Sequence, residues 1–100
     1  MRSSDGCYEF RRKRPGEYYC KALGLYALRT GRNVWSLEFP FLTNTYFRIP
    51  GQSRISTSLA GFSTLREALS FPIYDSIVSA SCDDAAWMRS FQALPKAAFA

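Results

Sequence analysis

The chain has 100 residues, 47% of them hydrophobic and 21% charged, a composition that fits one globular domain and excludes a disordered or fibrous chain. It contains no histidine and three cysteines, Cys7, Cys20 and Cys82, none spaced as Cys-x-x-Cys, so mechanisms built on an imidazole base and zinc sites with four N or S ligands are excluded. Lys and Arg number 13 against 8 Asp and Glu, a formal net charge of +5, and that sign attracts phosphate or an acidic protein face and is the wrong one for a protein that imitates DNA.

The charge is unevenly placed. Residues 1–33 hold eight basic side chains against three acids, while residues 34–100 hold five of each, so the whole excess lies in the first third. No repeat or linker interrupts residues 1–100, which read as a single domain with a basic, aromatic N-terminal part and a helical C-terminal part. No apolar leader core occurs in Met1–Arg14, and the apolar stretch Ala22–Leu28 is far too short to cross a bilayer. With an odd cysteine count, these features predict a soluble cytoplasmic protein that does not contact a membrane.

Tyr8 and Phe10 alternate with Glu9 and Arg11, which predicts a short strand ending before the turn pair Pro15-Gly16. Between Glu17 and Arg29 the residues Tyr18, Cys20, Ala22, Gly24, Tyr26 and Leu28 recur at period two, and this predicts one continuous strand, since Gly24 would cost a helix about 1 kcal/mol. Thr30-Gly31-Arg32-Asn33 reads as a hairpin loop. Trp35, Leu37 and Phe39 then alternate inward against Val34, Ser36 and Glu38, and Pro40 ends the strand. Thr45–Ile49 and Ser53–Thr57 form a second hairpin around Pro50-Gly51.

After Gly61 the period changes to that of a helix. Thr64 and Glu67 are spaced as a capping box, with Leu65, Ala68 and Leu69 turned to the sheet. Pro72 ends that segment, Ile73, Ile77 and Ala80 continue helically, and Asp83 or Asp84 caps a last helix in which Trp87, Phe91 and Leu94 share a side before Pro95. The sequence thus predicts an α+β fold: an antiparallel sheet of four to five strands within residues 7–57, followed by two to three helices packed on one face. The heptapeptide Phe62–Ala68 resembles the strand-to-helix junction after the three-stranded sheet of AP2-like and phage-integrase arm-binding domains. That resemblance spans seven residues, implies a sheet followed by a helix, and carries no DNA-contacting residue over to this chain.

Neither a glycine-rich phosphate loop nor a calcium-loop spacing is present, so no cofactor or metal is expected. The carboxylates are dispersed, and Cys7 is the only thiol with basic neighbours. The sharpest feature is Arg11-Arg12-Lys13-Arg14 with Tyr8 before it and Tyr19 after it, four cations able to hold phosphates beside rings able to stack on bases. Arg29 and Arg32 add charge, and Phe41 and Tyr46 belong to an aromatic stretch in which strand alternation must leave some rings outside the core. These ten residues are the candidate contacts of a non-enzymatic binding protein for nucleic acid or a nucleoprotein complex. The alternative is a protein inhibitor or adaptor, in the format of small phage inhibitors of host defence complexes, that sets the same surface against a single acidic protein partner.

Overall fold

The computed structural model describes residues 1–3, 6, 8–40, 45–49, 55–71, 77–79, 89–90 and 93–99. Ten strands are present among them: β1 (Arg11–Arg14), β2 (Glu17–Cys20), β3 (Leu25–Gly31), β4 (Val34–Glu38), β5 (Thr45–Arg48), β6 (Ile55–Ser56), β7 (Ser58–Phe62), β8 (Ile77–Ser79), β9 (Arg89–Ser90) and β10 (Leu94–Pro95). One short α-helix, α1 (Leu65–Ser70), follows β7, and a 3₁₀ turn covers Lys96–Phe99. The strands form a six-stranded sheet in the order β1-β2-β3-β4-β7-β10 and a four-stranded sheet in the order β8-β5-β6-β9.

This overturns the expected α+β arrangement of one sheet under two or three helices: the described protein is mostly sheet, with one six-residue helix. Ile77 lies in β8, paired with Phe47, where a helical continuation was expected. Leu94 and Pro95, expected at the end of a helix, form β10 and run parallel to β7. Pro95 is tolerated there because, among the described residues, β10 is an edge strand with a ladder partner on one side only. Arg89 and Ser90, expected within the last helix, form β9 and run parallel to β6. The rest of that helix from Asp83 to Phe91, Trp87 included, lies outside the described residues, as do Cys7, Cys82 and the Pro50-Gly51 turn.

The predicted single strand from Glu17 to Arg29 is two strands. Residues 21–24 turn the chain, Gly24 takes φ 65, and its N–H donates to the Cys20 carbonyl at 2.9 Å. The turn exchanges the faces: Tyr18 and Cys20 share a side with Leu25 and Ala27, while Tyr19 pairs with Tyr26 on the other. The β3–β4 hairpin forms as expected, with Asn33 at φ 54 in the two-residue connection. The capping box forms too, with Glu67 N–H on Thr64 Oγ1 at 3.1 Å and Glu67 Oε2 accepting from the Ser63 N–H at 2.8 Å.

Pairing register defines two faces of the large sheet. Along the inner face runs the row Arg12, Tyr18, Ala27, Leu37, Leu59, Leu94, crossing all six strands. Ala27, Leu37, Leu59 and Leu94 are fully buried, whereas Arg12 is exposed and Tyr18 half-buried. Helix α1 packs on β3, β4 and β7 with Ala68 and Leu69 buried. On the β1–β2 side of the inner face Phe10 and Cys20 are buried in the same core, while beside them Arg12 stays exposed and Tyr18 half-buried. Phe39 and Phe47, 4.8 Å apart between ring centroids, join the second sheet to the same core.

Leu37→Ala is expected to cost about 2–5 kcal/mol in urea denaturation, because Leu37 lies in the middle of that buried row. Gly16→Ala is expected to cost about 1 kcal/mol or more, because Gly16 holds φ 80 and a new Cβ would lie 3.3 Å from the Arg29 Cβ.

Candidate functional site

Strand β1 lies at the edge of the sheet with all four side chains exposed. Arg11 stands opposite Tyr19 and Arg12 opposite Tyr18, so the first two cations point to different faces. The register then shifts between Arg12 and Arg14. Lys13, two residues after Arg11, returns to the outer face by strand alternation, and its Nζ stands 4.9 Å from the Tyr19 ring centroid and 5.6 Å from that of Tyr26, while the bulge sets Arg14 opposite Glu17. Arg14 is partly neutralised by Glu17, whose Oε2 is 3.3 Å from its Nε.

The outer face carries the row Arg11, Tyr19, Tyr26, Glu38, Ser58. Tyr19 and Tyr26 pack with centroids 4.6 Å apart at 40°. A cation over such rings gains about 0.5–1 kcal/mol in an exposed setting, enough to bias Lys13 toward one position. Arg11 reaches Glu9 at 3.8 Å, but its side chain is 83% exposed, so the pair is screened and leaves the guanidinium open to solvent.

Beside the Tyr19 ring lies an open groove of about 980 Å³ lined by Arg2, Glu9, Arg11, Lys13, Tyr19, Lys21 and Ala22. Four of its residues are cations and one is an acid. Arg2 enters because the first residues fold back on the strand: Arg2 bridges to Glu9, Phe10 N–H donates to the Met1 carbonyl at 2.7 Å, and Ser3 N–H donates to the Tyr8 carbonyl at 2.8 Å. Lys21 enters from the turn after β2. Neither was among the residues picked from the sequence, nor was Tyr26. The period-two pattern placed Tyr26 on the face with Tyr18 and hid its pairing with Tyr19.

The other candidates are dispersed. Arg29 and Arg32 are exposed at the β3–β4 tip, where they line a small concavity with Thr30 and Gly31. Arg29 N–H also donates to the Gly16 carbonyl at 2.8 Å, which holds that tip against the β1–β2 turn. Tyr8 is half-buried against the core. Tyr46 is fully buried with Ile55 and Val78 on the far side of the small sheet, so it is a packing residue and not a contact. Phe41 lies outside the described residues.

Cys20 is a free, fully buried thiol on the inner face, as expected of a small core residue. Among the described residues, no helix is long and apolar enough to cross a membrane. Comparison with protein-family models, with curated proteins and with solved structures found no match for the chain.

Tyr46→Ala is expected to lower stability by about 3 kcal/mol, as truncation of a fully buried ring does. Tyr19→Ala, at a half-buried position, is expected to cost less than half of that by the same denaturant titration.

Proposed function

We propose that the protein is a small, non-enzymatic binding protein that contacts nucleic acid, alone or within a nucleoprotein complex, through the outer face of β1, β2 and β3. The observation that carries this reading is the convergence of Arg2, Arg11, Lys13 and Lys21 on one groove beside the Tyr19–Tyr26 ring pair. The cations supply a sequence-independent attraction for phosphate and the rings a flat apolar surface for a base. Arginine is suited to this work, because its planar fork can chelate phosphate oxygens and stack on a ring. The groove brings together cations from three separate stretches of chain, which a solvated charge run at a sheet edge does not do.

Strand addition by a protein partner is a poorer fit to the same edge. Residues 8–10 are already paired with residues 1–3, and the bulge between Arg12 and Arg14 breaks the flat template an added strand needs. Bulges and charged side chains are common ways to keep an edge from pairing.

Changing Arg11, Arg12, Lys13 and Arg14 together to alanine is expected to abolish oligonucleotide binding while circular dichroism stays unchanged, because all four side chains are exposed. For the wild type, log affinity is expected to fall with log salt at a slope of about −3, from four cations at about 0.7 each for a single strand. Undiminished affinity in the folded quadruple variant removes the basic run from the function. Retention of one protein partner from lysate after nuclease treatment, with no oligonucleotide binding, favours the acidic-protein alternative.

A further inference from the structure

The edge strand β1 presents cations and rings on both of its sides. On the outer side Arg11 and Lys13 stand with Tyr19 and Tyr26. On the inner side Arg12 stands opposite Tyr18, Tyr18 lies 6.3 Å from Trp35 between ring centroids, and Arg29 stands opposite Trp35. Tyr18 and Trp35 are half-buried, and Arg12 and Arg29 are exposed. Phe10 and Cys20 close one end of this side of the face, and the inner set is open at the other, where the rings of Tyr18 and Trp35 keep part of their surface exposed against the core.

We propose that the ligand is a single-stranded nucleic acid that folds over the β1 edge, with phosphates held by both sets of cations and bases laid against both ring pairs; this rests on the reading of the outer face as a nucleic-acid surface. A duplex is stiff over about 150 base pairs and can follow only one side of a strand that is about 10 Å thick with its side chains. A single strand turns sharply within a few nucleotides, and its unpaired bases are free to stack. The chemistry on the two sides is the same, cation plus ring, which is the combination a flexible polyanion with aromatic bases complements along its whole length. An acidic polypeptide would complement the cations and leave four rings without a function.

The test compares a short oligothymidylate with a duplex of equal length, and adds poly-glutamate as a competitor. Two variants are used, R11A/K13A for the outer side and R12A/R29A for the inner, each checked for fold by circular dichroism. Trp35 emission reports the inner side, with Trp35→Phe to assign the signal. The expected result is single-strand binding at least about tenfold tighter than duplex binding, a loss of about tenfold in each variant, and quenching of Trp35 that R12A/R29A removes. Full affinity in R12A/R29A with a loss in R11A/K13A overturns the two-sided path and leaves the outer-face reading standing. Equal binding of duplex also overturns it. Poly-glutamate competing as well as the oligonucleotide overturns it in favour of an acidic protein, and absence of any oligonucleotide binding by the folded wild type overturns both readings.

Discussion

The pleat of a β-strand sends neighbouring side chains to opposite sides of its sheet, and the surface of this protein follows from what that does to Arg11, Arg12, Lys13 and Arg14. As a loop, the four would form one diffuse positive patch. As the edge strand β1 they are sorted: Arg11 and Lys13 on the outer side with Tyr19, Arg12 on the inner side with Tyr18, and Arg14 set opposite Glu17 by the bulge. Charge that is additive in the sequence becomes two sets with a sheet between them. The groove on the outer side then exists because two distant residues, Arg2 and Lys21, arrive there by backbone pairing and a turn.

The rest of the fold supplies the support that such an edge needs. Burial along the inner row deepens from exposed Arg12 through half-buried Tyr18 to fully buried Ala27, Leu37, Leu59 and Leu94. Apolar area removed from water is worth about 25 cal/mol per Å², so the Arg12 and Tyr18 end of the row adds little stability, while Phe10 and Cys20 beside it anchor β1 and β2 to the core. The same gradient frees the polar edge for contact, since substitutions of exposed charges there disturb little packing. The junction of the Gly16 carbonyl with the Arg29 N–H ties the two hairpin turns together and keeps the exposed edge in register with β3.

Much of the local structure was legible in the sequence because its causes are local. Gly31, Arg32 and Asn33 announce the β3–β4 turn, alternation from Val34 to Phe39 announces its second strand, and Thr64 with Glu67 announces the start of α1. The failures share a different cause. The turn at residues 21–24 contains one glycine and no proline, and the period-two pattern passes through it unbroken, so two strands read as one. Ile77 and Leu94 sit in strands of two or three residues whose identity depends on partners far away in the chain, Phe47 and Leu59, and such pairing leaves little trace in local pattern. For the site, Arg11, Lys13 and Tyr19 were readable from adjacency. Tyr46 was misplaced because an aromatic stretch does not say which of its rings goes inward, and Arg2 and Lys21 were missed because only tertiary pairing brings them to the groove.

The most direct measurement is an amide and side-chain NMR titration of the intact protein with a short single-stranded oligonucleotide at low salt. The account predicts shifts that cluster at Arg11–Arg14, Tyr19, Tyr26 and Lys21 on the outer side and at Tyr18, Arg29 and the Trp35 indole on the inner side, with Tyr46, Phe47 and α1 unmoved. Shifts confined to α1 or to the small sheet, or none at all at saturating oligonucleotide, would contradict it.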